Sequence, residues 1–114
     1  MNQITVKKLL NNFYSNEGPE RVGFIIPRNE IVEVRNISDK PHDGFLVAPE
    51  DIILYTEEKE AIATWHTHPN QSANLSGEDY RIFHNWPNLT HFIIGNDGVR
   101  AFKFDEQLQD IIEI

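Results

Sequence analysis

The chain has 114 residues, 39% of them hydrophobic and 25% charged, the size and balance of one globular domain; that length excludes a two-domain enzyme, a closed (β/α)₈ barrel of about 250 residues and a long repeat array. Eighteen Asp and Glu against ten Lys and Arg leave a net charge of −8, which argues against nucleic acid and anionic membrane surfaces as partners. The absence of cysteine removes disulfide scaffolds, Cys-ligated zinc, iron–sulfur clusters and thiol nucleophiles together.

In chain order, Val6, Leu9, Leu10, Phe13 and Tyr14 recur at helical spacing behind Thr5, which predicts an N-cap at Thr5 and a helix over 5–15. Arg21 to Pro27 and Glu30 to Ile37 read as two strands joined by a turn at Arg28-Asn29, hence a hairpin. Gly44 to Val47 reads as a short strand. Pro49 then stands where a first helical turn tolerates proline, so Glu50 to Glu60 reads as a helix burying Ile52 and Ile53. Ala61 to His68 is a strand stopped by Pro69, and Ser76 to Trp86 a helix stopped by Pro87. Thr90 to Ile94 and Val99 to Phe104 close a hairpin across Gly95-Asn96-Asp97-Gly98, and the last ten residues carry no clear signal. The pattern predicts an α+β fold, a single domain over residues 1–114 with about three helices flanking one mixed sheet. The N-terminus has no apolar core of a signal peptide and no segment reaches about 20 apolar residues, so a cytoplasmic chain is expected.

Chemistry concentrates in three places. His66-Thr67-His68 lies in a predicted strand, where alternate side chains share a face with Cα atoms about 6.5–7 Å apart, close enough for two imidazoles to meet on one metal ion. Ser76-Gly77-Glu78-Asp79 opens the next helix. It reads as a near capping box, yet Asp79 in the first turn can also face inward as a carboxylate ligand, giving two neutral donors, one anion and an open fourth position. Glu20-Arg21-Val22-Gly23 places a carboxylate ahead of an apolar strand, with a glycine that permits close approach of backbone or substrate. His84 lies about 140° around the helix from Asp79 and should not share the ion. His42 and His91, beside turns, read as polar surface or edge residues, and Trp65 and Trp86 as core or rim aromatics.

Taken together, E-x-x-G, H-[ST]-H-P and S-x-x-D seven residues later resemble the JAMM motif of the JAB/MPN metalloproteases, and every motif position is present. The resemblance implies an MPN fold, similar to that of cytidine deaminases. It also implies zinc held by His66, His68 and Asp79, with Glu20 as general acid/base and Ser76 helping to hold the oxyanion. The reaction implied is peptide or isopeptide hydrolysis by a zinc-activated water, whose pKa zinc can bring to about 7. A binuclear H-x-H-x-D-H hydrolase fails because Asn70 and Gln71 stand where Asp and His are needed. A cupin lacks its Glu, and a zinc deaminase lacks its cysteines. The repair-associated RadC pattern fits less well at Thr67, Asn70 and Gln71. The segment Gly44 to Asp51 and Trp86-Pro87 resemble the JAB domain of phage tail-assembly proteins, so small prokaryotic or phage members are the nearest type. The implied partner is a protein or peptide substrate, a ubiquitin-like or tail protein among the candidates. The contrasting expectation is a non-catalytic assembly module whose metal site serves stability or docking.

Overall fold

The computed structural model describes all 114 residues. Helix α1 (Gln3–Leu10) continues into a 3₁₀ turn at Asn11–Phe13. Its N-cap is Asn2, not Thr5: the Asn2 side chain accepts from Thr5 N–H at 3.1 Å, so the helix begins two residues before its predicted start. Strands β1 (Val22–Ile26) and β2 (Glu30–Val34) form the expected hairpin. Ile26 pairs with Glu30, so the connection is the three residues Pro27, Arg28 and Asn29, of which Arg28 and Asn29 adopt positive φ, 72° and 58°.

Gly44 to Val47 is not a strand of the sheet. It runs as an extended strap whose backbone bonds go mainly to one side chain: Asn36 Nδ2 donates to Gly44 C=O and Leu46 N–H donates to Asn36 Oδ1. Only Ile37 N–H to Leu46 C=O, at 2.8 Å, resembles strand pairing. Helix α2 (Pro49–Ile53) widens into π turns over Leu54–Glu58, so the predicted helix is present in two geometries. Strand β3 (Ala63–Thr67), helix α3 (Gly77–His84), and strands β4 (Thr90–Gly95) and β5 (Gly98–Asp105) follow, and the C-terminal segment supplies a further strand, β6 (Asp110–Glu113).

The six strands are ordered β2-β1-β3-β4-β5-β6, with β3 and β4 parallel and every other pair antiparallel: an α+β fold with one mixed sheet and three helices. Strand alternation divides the core in two. One face presents Ile25, Trp65, Phe92 and Ile94 to Val6 and Leu10 of α1. On the other, Ile93, Phe102 and Ile111 pack against Phe83 of α3. No helix is long and apolar enough to cross a membrane.

Gly23 has a structural reason different from substrate approach. It pairs with Trp65 across β1 and β3, and a Cβ there would collide with Val32 C=O and come within 2.7 Å of the indole. Trp65 lies over the glycine, buried, and donates its Nε1–H to that same Val32 carbonyl at 3.2 Å. The glycine makes room for the core tryptophan on the sheet face that carries α1.

Candidate metal centre

His66 and His68 leave β3 on the face covered by α3, while Thr67 between them points the opposite way, as strand periodicity requires. The His66 ring is wedged between Phe45 and Phe83, centroids 4.7 and 6.1 Å away, and is buried. Ser76 caps α3 with its side chain, accepting from Asp79 N–H at 3.1 Å, and Asp79 returns the bond from Ser76 N–H at 3.3 Å. This reciprocal capping box does not turn Asp79 outward. Its carboxylate is 4% exposed and faces the histidines, with Oδ1 3.0 Å from His66 Nε2 and Oδ2 3.1 Å from His68 Nε2. The capping box and an inward-facing carboxylate are thus present in the same rotamer.

The two Nε2 atoms are 3.2 Å apart. Donors at tetrahedral corners around an ion with bonds of about 2.0–2.1 Å lie about 3.3 Å from one another. The nitrogens' separation of 3.2 Å matches one edge of such a tetrahedron, the Asp79 carboxylate meets each ring through a different oxygen at 3.0 and 3.1 Å, and two imidazoles with a carboxylate are the donor types zinc prefers. Glu20 supplies a further carboxylate, its oxygen within 4.8 Å of both histidine donors.

Backbone contacts aim these groups. His68 Nδ1–H donates to Ser72 C=O at 3.0 Å, which turns Nε2 toward His66 and Asp79. The Ser72 loop is in turn fastened to the β4–β5 hairpin by Ala73 N–H to Asp97 Oδ1 and Asn96 N–H to Gln71 C=O, both 2.8 Å. Gly95 lies beneath it; a Cβ there would overlap Ala73 N and approach Gln71 C=O to 2.8 Å. Glu20 is held through its neighbours: Arg21 N–H donates to Thr67 Oγ1 at 2.8 Å, Thr67 N–H to Arg21 C=O, and Asn36 Nδ2 to Glu20 C=O at 2.9 Å.

Electrostatics follow from burial and pairing. Burial drives the Glu20 carboxyl up to about 7, opposed by His68 and reinforced by the carboxylates of Asp79, Glu78 and Asp43. Asp79 goes the other way. Burial works to raise it, but hydrogen bonds from His66 and His68 outweigh that and hold it far below the usual carboxylate range. For His68, burial favours the neutral ring, whereas Asp79 and the Ser72 carbonyl prevail and raise it. The cleft above these groups, about 190 Å³, is lined by Glu20, His68, Ser76 and Asp79 together with Asp43 and Glu78. The protein side of the site is therefore anionic, suited to a cation.

His91 departs from its sequence expectation. It is 1% exposed, not a surface or edge residue: Nδ1 accepts from Thr64 Oγ1 at 2.7 Å, Nε2–H donates to Trp86 C=O at 3.0 Å, and the ring stacks on Phe83 at 4.1 Å. Its place in a strand covered by a helix, not its neighbourhood to a turn, decides its burial. His84 packs on Tyr80 and Phe104, and exposed His42 borders the cleft without joining the cluster. Sequence reasoning missed Asn36, Ser72, Gly95 and Asp97. Ser72 acts through a carbonyl, which every residue has, so its identity carries no signal; Asn36 before a turn had a weak one.

The family model for prokaryotic homologs of the JAB domain matches residues 6–105. The chain belongs to the prokaryotic JAB-domain family. That match spans α1 to the end of β5, so the two histidines, Asp79 and Glu20 all fall inside it. Among solved structures, this JAB-domain chain is similar to the solution structure of protein DSY2949 from Desulfitobacterium hafniense. The TM-score is 0.66 and the identity 16%, over 98% of this chain and 84% of that one, a likeness of fold alone. A search of the curated proteins finds no match.

Proposed function

We propose that this JAB-domain chain is a zinc-dependent peptidase or isopeptidase, with residues 1–114 acting as one catalytic domain. One observation carries the reading: two imidazole nitrogens 3.2 Å apart and the Asp79 carboxylate in contact with both converge beside Glu20 in an open cleft. His66, His68 and Asp79 are the residues that would hold the ion. When bound, Zn²⁺ supplies Lewis acidity, polarising an amide carbonyl and acidifying a water. Glu20 takes the proton of the attacking water on its carboxylate and returns it to the leaving amine. A carboxyl raised to about 7 by burial suits both halves of that exchange near neutral pH, and a neighbouring cation would draw it toward the ionised, basic form. Ser76 Oγ spends a lone pair on Asp79 N–H, so its O–H remains able to donate to the oxygen that gains charge as the scissile carbon becomes tetrahedral.

Following the family resemblance, the substrates to try first are small ubiquitin-like proteins and phage tail proteins, in the cytoplasm of a prokaryotic or phage-infected cell. Glu20→Gln is expected to keep one zinc per chain by elemental analysis while hydrolysis falls at least about 100-fold. Normal cleavage by that variant would remove Glu20 as the base, and loss of zinc would make it a ligand. His68→Ala is expected to lose the zinc. Tight zinc binding with no cleavage across these substrates would instead favour an assembly module.

A further inference from the structure

Beside the polar cleft the fold leaves a second opening, of about 280 Å³, walled by Phe24, Ile52, Ile82, Phe83 and Trp86. Interiors ordinarily fill such space to crystal-like density, so an unfilled volume between α2, α3 and the sheet stands out. Phe45 of the strap lines both openings, and His66 forms part of the apolar wall while its Nε2 faces Asp79. The two cavities are therefore neighbours, with Phe45 a wall of both.

Several of the wall's polar atoms already have partners, while the exposed Asn85 adds a side-chain amide to the lining. Thr64 Oγ1 and His91 Nδ1 bond each other, His91 Nε2–H is taken by Trp86 C=O, and Trp65 Nε1–H by Val32 C=O. No buried side-chain nitrogen or oxygen is left without a partner. An entering group would meet mainly carbon surfaces, and a charged one would lose its water with little in exchange. An apolar cavity of about 150 Å³ holds a benzene ring, so this one has room for a Phe or Leu side chain with its backbone at the mouth.

We propose that this pocket takes an uncharged apolar side chain, Leu or Phe in size, from the peptide whose backbone lies in the adjoining cleft, a specificity subsite that rests on the hydrolase reading above. Val47 on the strap and Ile52 on α2 line it from two different elements, and Trp86 adds an aromatic wall.

The test titrates the full chain with N-acetyl-leucinamide, N-acetyl-phenylalaninamide, N-acetyl-alaninamide and N-acetyl-glutaminamide, read by amide and indole NMR shifts. Leu and Phe probes are expected to move the signals of Phe45, Ile82 and Trp86 and to bind at least about tenfold tighter than the Ala probe, with the Gln probe inert. Val47→Trp and Ile52→Trp, each filling the space from a different element, should weaken the Leu probe at least tenfold while α1 and β5 signals stay in place. Equal response to Gln and Leu, or binding that survives both Trp variants, overturns the proposal. So do shifts of the same residues that grow with protein concentration alone, since a second copy would then occupy the pocket. Selective probe binding with no peptide cleaved keeps the pocket and removes the hydrolase; cleavage indifferent to side chain, with no probe binding, does the reverse.

Discussion

Acidification tests the buried His91. Burial pulls its imidazole down from 6.5 to about 4, against the Trp86 carbonyl, which favours the charged ring, and with the help of His66, whose charge disfavours it. Above pH 6.5 neither folded nor unfolded chain protonates this ring, and the residue adds no pH dependence. Below 6.5 the unfolded chain takes a proton that the folded one refuses until about pH 4, so stability is lost as pH falls through that window. At about 1.4 kcal/mol per pH unit, the interval amounts to about 3 kcal/mol. The wild-type curve alone will not display it, because Glu20, raised to about 7, titrates with opposite sign: the folded chain holds its proton between 4.5 and about 7, which favours the acid side. The informative quantity is the difference between metal-free wild type and His91→Gln, whose amide still donates toward Trp86 C=O. Urea unfolding from pH 7.5 to 4 is expected to show that difference shrinking by about 3 kcal/mol, nearly all of it below pH 6.5. A difference flat within about 0.5 kcal/mol, or a His91 ring titrating near 6.5 by NMR, would refute the reasoning.

Three further outcomes are expected. Asp79→Asn removes the anionic donor while keeping the size of the side chain. Its zinc affinity, by chelator competition, should fall by more than the roughly 10–100-fold that loss of an outer-shell partner costs. Asn36→Ala deletes bonds to Glu20 C=O, Gly44 C=O, Ser38 N–H and Leu46 N–H; at about 1 kcal/mol each, less what water recovers, urea unfolding should register a loss of about 2–3 kcal/mol, together with faster amide exchange in the strap over 44–47. Gly23→Ala drives a methyl into Val32 C=O and the Trp65 indole and should cost at least about 3 kcal/mol, with the Trp65 fluorescence displaced; a neutral result would mean that β1 and β3 can separate without penalty.

The sheet's strands were legible wherever apolar alternation and turn residues coincided, as at Val22–Ile26 with its Arg28-Asn29 turn. The strap at Gly44–Val47 looked like another strand because its composition is that of one. Whether such a segment joins a sheet depends on which backbone groups face it, and here the Asn36 amide occupies them. Strand β6 was silent in sequence because a four-residue edge strand needs little pattern of its own once β5 offers an open edge.

At the site, periodicity paired His66 with His68 and allowed Asp79 to face inward, while Glu20 and Ser76 were nominated by the resemblance of the joint motif to the JAMM pattern. Only the tertiary structure could bring α3 over β3 so that Asp79 meets both imidazoles within 3.1 Å, and only it could bury His91 and set an apolar pocket beside the cleft. The physical reason is range. Periodicity and capping act over a few residues along the chain, whereas burial, desolvation and the spacing of metal donors are set by elements from distant parts of it, whose packing no local pattern records.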